Sequence, residues 1–484
     1  MKKHKLLFIV TLALLLALSG CTGNSNKNKA KDSPEATITS MIELTPTKEV
    51  VPTEEVVPTQ EVQKIGYNAD ELKVLSEELS TEVIEGDCSG VNSYFEDSLK
   101  ATYTAKVLED AMEKAVAPLG NFVSIEYSQT EETDDTIFVG VVLRYENNGM
   151  QLLYGYNKNI QLTTFRYNYV TLNEESSNTE SDLFKEVEIT VGTGNYLMDG
   201  IMTIPNGVER PPVVILVQGS GQTDMDETIG ASNNKPFRDI AHGLAEKGIA
   251  SIRYNKRFYQ YKDNISEEIT VYEEILEDVG AAIELAKKSD VLDTTRIYVA
   301  GHSEGGMLCP KIATDHPELA GIIVLAGSPR HLEDIIYDQA VFFAEQDEIS
   351  SKEDIEQYLE MMKANVEQVK NLSNEDLASP ILGVTGYYWR SLNRIDTPEL
   401  VTKLTLPMLF LQGSADFQVY ADVDFAEWKS LLDGHDNAEF IEYEGLNHLF
   451  MPTTGALDTS DYDYKNNVDS QVILDMADWI LKTK

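Results

Sequence analysis

A serine between glycines, in the stretch "YVAGHSEGGM" at residues 298–307, has the setting of a nucleophile. A hydroxyl becomes reactive when a tight turn between a strand and a helix exposes it beside the helix N-terminus. The apolar residues before the serine predict the strand, and residues 307–314 predict the helix. Gly305 and Gly306 leave room where a Cβ would press on the turn and block a substrate carbonyl. Ser303 is therefore the candidate nucleophile; the alternative is an ordinary serine in a glycine-rich turn.

A serine nucleophile needs a histidine base and a carboxylate that orients it. "LPMLFLQGSADFQV" predicts a late strand followed by a turn with Asp416, and "AEFIEYEGLNHLF" predicts the next strand and a loop with His448. Asp422 and Asp424 are alternative acids, but they fall in the first turn of a predicted helix, where carboxylates favour the helix dipole. The remaining histidines lie in the N-terminal signal, in helices, in the turn or in connections: His4, His242, His302, His316, His331 and His435. Asp416 and His448 are therefore the predicted acid and base.

The elements around these residues predict an α/β domain over residues 184–484. Two alternating segments predict a hairpin, "PPVVILVQG" at 211–219 is a continuous apolar run, and helical and apolar segments then take turns. Such runs are typical of parallel strands buried on both faces. A helical insertion at about residues 331–400 predicts a cap over the site. Its rings at Tyr387, Tyr388 and Trp389 are predicted either to line an acyl pocket or to pin the cap to the sheet.

Five stretches together resemble the α/β-hydrolase superfamily, in the bacterial surface esterase-like branch grouped with serine aminopeptidase-like and BAAT-like hydrolases. They are "VVILVQGSGQTDMDE", "IASIRYNKR", "YVAGHSEGG", "MLFLQGSADFQV" and "EGLNHLF". The resemblance implies an α/β-hydrolase fold with a mostly parallel sheet and a helical cap, and a triad in the order Ser303, Asp416, His448. It also implies an oxyanion hole formed by the backbone N–H groups of Ser220 and Glu304. Relatives often have histidine where this chain has Gln218, but a role carried by backbone survives that change.

The chemistry expected from this set is hydrolysis of a small-molecule carboxylic ester through an acyl-enzyme, with no cofactor and no metal. The acidic "TDMDE" at residues 223–227 contains no histidine, so we expect a solvated loop that Lys256 and Arg257 order through salt links, and no metal site. Two alternatives stay open. One is a peptidase or amidase with the same triad, and the other is a surface binding lipoprotein whose hydrolase domain is inert.

A separate small α+β domain is predicted over residues 66–172. Two segments with helical periodicity, 69–86 and 99–120, precede three alternating segments at 136–146, 150–157 and 160–170. With "LGNFVSI" at 119–125 as a turn, this order resembles the NTF2/cystatin-like domains that precede hydrolases in some bacterial surface proteins. The domain carries no catalytic motif, so no chemistry is assigned to it.

The N-terminus has the pattern of an export signal. Residues 1–20 combine lysines with an apolar run that is short for a membrane span. The stretch ending at Cys21 resembles a bacterial lipobox, which predicts lipidation of this cysteine; an ordinary signal peptide with an incidental cysteine is the alternative. Prolines in "EVVPTEEVVPTQEV" predict that residues 21–65 form a disordered tether. We therefore expect an exported lipoprotein on the extracytoplasmic side of a bacterial cell membrane.

The charge of the chain limits its partners. The formal net charge is -42 at pH 7. Such a chain repels nucleic-acid phosphates and anionic lipid headgroups, so membrane attachment is expected through the N-terminal lipid only. Cys88 and Cys309 fall in different predicted domains and are expected to be structural thiols. The oligomeric state stays open.

Overall fold

The computed structural model describes residues 69–133, 135–170, 172, 181–262, 265–347 and 351–483. The predicted signal at 1–20, the lipidation site Cys21 and the tether at 21–65 lie outside these ranges. Contacts divide the chain into two compact units, one ending at Val170 and one containing the residues that follow it. In the ranges described, no helix is both long and apolar enough to cross a membrane.

The first unit consists of helices followed by an antiparallel meander. Its elements are α1 (Ala69–Ile84), α2 (Ser89–Tyr94), α3 (Asp97–Lys100), α4 (Ala105–Val116), a 3₁₀ turn (Ala117–Leu119), β1 (Phe122–Glu132), β2 (Thr136–Tyr145), β3 (Gly149–Asn157) and β4 (Leu162–Val170). The four strands pair in chain order. Alternating apolar residues make β2 and β3 largely buried, which places the core of this unit between the sheet and α1.

Two predicted boundaries in this unit are wrong. The helix predicted over residues 99–120 corresponds to α4, which begins only at Ala105. The side chain of Thr104 caps it there by accepting the backbone N–H of Val107. The stretch predicted as a turn becomes strand β1 from Phe122 onward, and the turn itself is confined to Gly120, whose φ is 78°. Whether the unit is NTF2/cystatin-like stays a prediction.

The second unit contains a mixed, mostly parallel sheet. Its strands are β5 (Phe184–Thr193), β6 (Tyr196–Pro205), β7 (Val213–Val217), β8 (Ala250–Tyr254), β9 (Ile297–His302), β10 (Gly321–Leu325), β11 (Pro380–Ile381), β12 (Val384–Thr385), β13 (Met408–Gly413) and β14 (Ala438–Tyr443). Eight of them form one sheet in the order β14-β13-β10-β9-β7-β8-β6-β5. In this sheet the neighbouring pairs β14–β13, β13–β10, β10–β9, β9–β7 and β7–β8 are parallel. Strand β6 is antiparallel to both of its neighbours, β8 and β5. This is the strand order of the α/β-hydrolase fold.

Helices cover both faces of this sheet. They are α5 (Pro236–Glu246), α6 (Arg257–Gln260), α7 (Glu277–Lys287), α8 (Glu304–Asp315), α9 (Leu332–Gln346), α10 (Lys352–Lys370), α11 (Gly386–Leu392), α12 (Thr397–Val401), α13 (Ala426–Leu431) and α14 (Ser470–Lys482), with π-helical turns at Tyr272–Leu276 and Ala421–Phe425 and a 3₁₀ turn at Thr459–Tyr462. Every residue of β7 is buried, and its side chains alternate between two core clusters. A strand buried on both faces reads as a continuous apolar run for this reason.

The insertion between β10 and β13 forms the helical cap. It contains α9, α10, the short β11–β12 pair, α11 and α12. The indole N–H of Trp389 donates to the carbonyl of Ile381 at 2.7 Å, and the hydroxyl of Tyr388 donates to the Glu304 carboxylate at 2.9 Å. Both rings are buried, so these contacts fasten α11 to β11 and to the N-terminus of α8.

Candidate active site

Ser303 occupies a strained turn between β9 and α8. Its φ is 53° and its ψ is -115°, a backbone conformation that costs energy for a residue with a Cβ. The backbone N–H of Ser303 donates to the carbonyl of Leu325 at 2.9 Å, which ties the turn to β10. A Cβ on Gly305 would lie 2.4 Å from the carbonyl oxygen of Val217. The turn therefore requires glycine at that position, and it presents Ser303 at the carboxyl edge of the sheet.

Asp416 and His448 come together at the same edge. The His448 Nδ1 and the Asp416 Oδ2 are 2.7 Å apart, and both residues are buried. The second oxygen of Asp416 accepts the backbone N–H groups of Gln418 and Val419 at 2.8 and 2.9 Å. The amide of Gln412 donates to Oδ2 at 2.8 Å. This carboxylate is fixed from four sides and can hold the imidazole in one tautomer, with Nε2 free to act as a base.

A second histidine connects the base loop to the nucleophile turn. His302, which directly precedes Ser303, has its Nε2 at 3.0 Å from the carbonyl oxygen of His448. The two imidazole rings are 4.6 Å apart between centroids. Burial alone lowers the pKa of His302, but the Glu227 carboxylate and the His448 carbonyl outweigh it and raise the pKa above its ordinary value. The base loop therefore contacts the residue directly before Ser303, at the same edge of the sheet as the pair of His448 and Asp416.

The loop that carries His448 is held by its own polar network. The side-chain oxygen of Asn447 accepts the backbone N–H groups of Leu449 and Met451 at 3.0 and 3.2 Å. Its amide nitrogen donates to the buried carboxylate of Asp461 at 2.6 Å. These contacts pin the chain on both sides of His448, which limits the positions that the imidazole can take.

The two predicted oxyanion donors lie beside Ser303. Glu304 is the first residue of α8, so its N–H has no acceptor within the helix and lies at the positive end of the helix dipole. Ser220 follows β7, and among residues 181–262, 265–347 and 351–483 no group accepts its backbone N–H. Ser220, Glu304 and Ser303 line one cavity. Two free N–H donors beside a serine can stabilise a developing oxyanion.

The cavity beside Ser303 is small, and its lining is about equally polar and apolar. Its volume is about 20 Å³. It is lined by Ser220, Ser303, Glu304, Met307, Ser328, Leu332, Ile335, Ile336, Gln339, Gln418 and Val419. Helix α9 of the cap supplies four of these residues, from Leu332 to Gln339. Tyr387, Tyr388 and Trp389 are not part of this lining, and the contacts of the last two instead attach α11 to its neighbours.

The loop at residues 223–227 is not the solvated loop expected from sequence. Asp226 accepts from Arg253 at 2.7 Å, and Asp224 accepts backbone and hydroxyl donors within the loop. Glu227 is only 6% exposed. The acids are therefore used to hold backbone and a buried arginine. Within the part of the chain that the structure describes, no group of three or more His, Cys, Asp or Glu side chains could hold a metal ion.

A buried charge cluster lies behind the candidate site. Lys256 is 3% exposed, donates to the carbonyl of Gly219 at 2.7 Å and lies 3.0 Å from the carboxylate of Glu274. Burial raises the pKa of Glu274 to about 8. Burial also raises the pKa of Glu304, whose carboxylate accepts from Tyr388. The predicted salt links from Lys256 and Arg257 to residues 223–227 are not found among the described residues, because the Lys256 ammonium contacts Gly219 and Glu274 and Arg257 pairs with Asp278.

Sequence reasoning missed the residues that support the candidate triad and oxyanion hole: Gln412, Asn447, Asp461, His302 and Glu227. Gln218 also has a structural part, since its side-chain amide donates to the carbonyl of Tyr254. Polar residues inside otherwise apolar strands, such as Gln412 in β13, are the signal that could have pointed to some of them, because a buried amide must find partners.

Two families match separate parts of the chain. A family described as "Serine aminopeptidase, S33" matches residues 231–452, and a family described as a protein of unknown function, DUF3887, matches residues 76–165. The second range falls within the helix and meander unit. The first range includes Ser303, Asp416 and His448.

Individual proteins that are similar to the chain include several esterases. The esterase EstD of Thermotoga maritima is 35% identical over 303 residues, which cover 63% of this chain and 69% of that enzyme. Among solved structures, Est1E from Butyrivibrio proteoclasticus is 18% identical with a TM-score of 0.39, covering 61% of this chain and 98% of that chain. The esterase domain of a Rhodothermus marinus protein is 14% identical with a TM-score of 0.38, covering 61% and 97%.

Proposed function

Because the chain belongs to the family of the esterase EstD and is an α/β-hydrolase of the carboxylesterase type, we propose that it cleaves short-chain carboxylic esters through a Ser303–His448–Asp416 triad. The observation that carries the proposal is the 2.7 Å contact between His448 Nδ1 and Asp416 Oδ2, at the sheet edge where the strained turn presents Ser303. A buried pair of this kind near a half-buried serine is the arrangement that acyl transfer needs.

The reaction proceeds in two halves. His448 Nε2 takes the proton of Ser303 as its oxygen attacks the ester carbonyl carbon, and the negative charge that develops on the carbonyl oxygen is stabilised by the N–H groups of Ser220 and Glu304. The imidazolium, balanced by Asp416, then gives its proton to the leaving alcohol and an acyl-enzyme remains. Water, deprotonated by His448, attacks the acyl-enzyme and releases the carboxylic acid and Ser303.

The size of the cavity favours short acyl groups. A volume of about 20 Å³ is close to that needed for a single water molecule, so it accepts a methyl group more readily than a long alkyl chain. Leu332, Ile335 and Ile336 of α9 contribute apolar side chains to its lining. A longer acyl chain would require α9 to move away from the sheet.

The first experiment compares hydrolysis of p-nitrophenyl esters from acetate to decanoate by the purified protein and by Ser303→Ala. We expect the highest kcat/KM with acetate or propionate, and a loss of about 10⁴-fold or more in the variant. Ser430→Ala, on the exposed side of α13, is the matched control and retains activity. Ester hydrolysis that persists in Ser303→Ala would contradict the proposed nucleophile.

An amide substrate is the second candidate, because the family match over residues 231–452 carries the description of a serine aminopeptidase. Acyl transfer from an amide uses the same nucleophile and base and differs in the poorer leaving group. A panel of amino-acid p-nitroanilides is measured with the same two proteins. A kcat/KM for an anilide above that for every ester would replace the esterase assignment by the peptidase one.

We also propose that the protein is exported and anchored through a lipid on Cys21. Support comes from the basic start, the apolar run and the lipobox-like residues ahead of Cys21. Cys21→Ala should move the protein from the membrane fraction to the soluble extracytoplasmic fraction of a producing bacterium. Mass spectrometry of the N-terminal peptide checks the lipid directly, and an unmodified Cys21 in the membrane fraction would rule out this anchor.

A further inference from the structure

We propose that Lys256 and Glu227 are positioning residues that clamp Gly219 from both sides and thereby aim the N–H of Ser220 at the reacting carbonyl. The proposal rests on the proposed function, since it concerns how the oxyanion hole of that reaction is held. Neither residue touches the reacting atoms. Their action passes through two neighbouring peptide groups of the loop after β7.

Lys256 controls the peptide between Gly219 and Ser220. Its ammonium group donates to the Gly219 carbonyl oxygen at 2.7 Å. In a planar trans peptide, the C=O and the N–H point in opposite directions. A carbonyl held by Lys256 therefore turns the Ser220 N–H away from Lys256, and Ser220 lines the cavity that contains Ser303.

Glu227 controls the preceding peptide. Its Oε1 accepts the backbone N–H of Gly219 at 2.6 Å, and its Oε2 lies 3.0 Å from the Nδ1 of His302. Glu227 has a φ of 52°, which is rare for a residue with a side chain and shows that the loop is bent to bring this carboxylate inward. With both its N–H and its C=O bound to charged side chains, Gly219 cannot rotate either of its peptide groups freely.

The charge on Lys256 has an effect that a neutral donor lacks. A cation that donates to a carbonyl polarises the whole peptide group, so the N–H on its other side becomes a stronger donor. Burial of Lys256 strengthens this effect, because few water molecules screen it. The Glu274 carboxyl, 3.0 Å away, gives the buried ammonium group a polar partner. The pairing alone does not explain the contact with Gly219.

Close packing leaves the loop little room to compensate. A Cβ on Gly219 would lie 3.0 Å from the Cβ of Ser303, so the loop and the nucleophile turn are almost in contact. The loop is also fastened to the segment after β8. The backbone N–H of Met225 donates to the Asn255 side chain at 2.9 Å, and that of Lys256 donates to the Thr223 carbonyl at 3.3 Å. Even a small rotation of the Gly219–Ser220 peptide would therefore turn the Ser220 N–H away from the reacting carbonyl.

The test measures Lys256→Met, and the double variant Lys256→Met/Glu274→Gln, which also removes the buried carboxyl group that loses its partner. Arg257→Met is the matched control, because it removes the neighbouring buried cation, which pairs with Asp278 rather than with the loop. Each protein is assayed with p-nitrophenyl acetate and with a trifluoromethyl ketone that forms a tetrahedral oxyanion on the serine. Circular dichroism and thermal unfolding report whether each variant folds.

We expect both Lys256 variants to lose about 10- to 100-fold in kcat, with KM changed less than about threefold. This loss is smaller than the loss in kcat expected when one oxyanion donor is removed completely. Affinity for the ketone should fall by the same factor as kcat/KM, whereas Arg257→Met should keep both within about threefold. If neither methionine variant folds, Lys256→Gln, which keeps a neutral N–H donor, should show the same paired losses at a smaller size.

Two results separate failure of this inference from failure of the proposed function. If the wild-type protein is active and Ser303→Ala is not, but the folded Lys256 variants keep wild-type kcat or lose kcat without losing ketone affinity, the clamp has no part in the oxyanion hole. If the wild-type protein shows no Ser303-dependent ester hydrolysis, the proposed function fails and this inference fails with it.

Discussion

Asp416 is the most constrained residue of the candidate triad. Its two oxygens accept from His448, from the Gln412 amide and from the backbone N–H groups of Gln418 and Val419. An acceptor that faces donors on every side must be a carboxylate, because an amide would present N–H groups to some of them. The geometry of the base therefore depends on the charge of this one group.

We predict that Asp416→Asn lowers kcat for p-nitrophenyl acetate by about 10⁴-fold while the protein stays folded. The asparagine oxygen can still accept the backbone donors, but its NH₂ would face His448 Nδ1 and the Gln412 amide, which favours the wrong tautomer. Asp422→Asn, on the exposed acid of the next turn, is the control and retains activity. A loss of less than tenfold in Asp416→Asn would mean that another carboxylate serves His448.

Glu274 should make the stability of the protein depend on pH. Its folded pKa is about 8, above the ordinary value of 4.5, because burial disfavours its charged form. Because the folded state favours protonated Glu274, this group stabilises the fold fully below its unfolded pKa. The stabilisation is lost as the pH rises toward 8. The charged and titratable groups around it are Lys256, Glu304, Asp278, Tyr254 and Tyr388.

We predict that Glu274→Gln flattens this dependence. Between about pH 5 and 8, the free energy of unfolding of the variant should gain on the wild type by up to about 1.4 kcal/mol per pH unit. Urea unfolding at several pH values measures the slope. Glu277→Gln, at an exposed position of the same region, should unfold with the pH slope of the wild type. Parallel curves for Glu274→Gln and the wild type would refute the assignment.

At the scale of elements, the turn between β9 and α8 determines where the nucleophile lies. It is held between the ends of β7 and β10, since Gly305 contacts the Val217 carbonyl and the N–H of Ser303 binds the Leu325 carbonyl. The atoms that surround the glycine are backbone atoms, which cannot rotate away as a side chain can. The strand order of the sheet therefore fixes the turn.

Gly305→Ala should lower both stability and activity. A Cβ placed 2.4 Å from the Val217 oxygen forces the start of α8 away from the end of β7, and we expect a loss of about 3 kcal/mol, or roughly 5–10 °C in Tm. Gly280→Ala, in the interior of α7, meets only the end of the His316 ring at 3.3 Å and should change Tm little. Thermal unfolding and ester hydrolysis are measured on both; equal Tm values would show that the turn yields.

Sequence patterns predicted the strands that are buried on both faces and the helices whose apolar residues recur with the helical period. They missed elements that have neither pattern. The apolar run at 213–217 and the final helix at Ser470–Lys482 could be read directly, because their side chains pack on a core. Strand β1 could not, since it is polar and largely exposed and is held mainly by backbone pairing with β2. Asp416 and His448 could be predicted from strand ends, whereas the contact of Lys256 with Gly219 depends on two loops distant in sequence.

At the scale of the whole molecule, the net charge of -42 should influence which substrates arrive. A strongly negative protein raises the local concentration of cations, and salt screens this effect over about a Debye length. The net charge of the protein thus affects how fast substrate associates. It has much less effect on the chemical step, which takes place in a buried site.

We predict that kcat/KM for a cationic acetate ester such as acetylcholine falls as ionic strength rises from about 0.01 M to about 0.5 M. The neutral ester 3,3-dimethylbutyl acetate has nearly the same shape and should show no such decrease. Initial rates at low substrate concentration measure both. The same salt response for the two esters would mean that the charge of the chain does not steer substrate to the site.

Both cysteines within the described ranges, Cys88 and Cys309, are free and buried, one in each unit. Burial raises the pKa of Cys88 to about 11 and that of Cys309 to about 12, so neither forms the thiolate that reacts with maleimides or iodoacetamide at neutral pH. A single cysteine introduced on the surface of either unit would then be the site of labelling among these residues. A pair of introduced cysteines, one on each unit, would thus allow fluorescence measurements of the distance between the units without prior removal of Cys88 or Cys309.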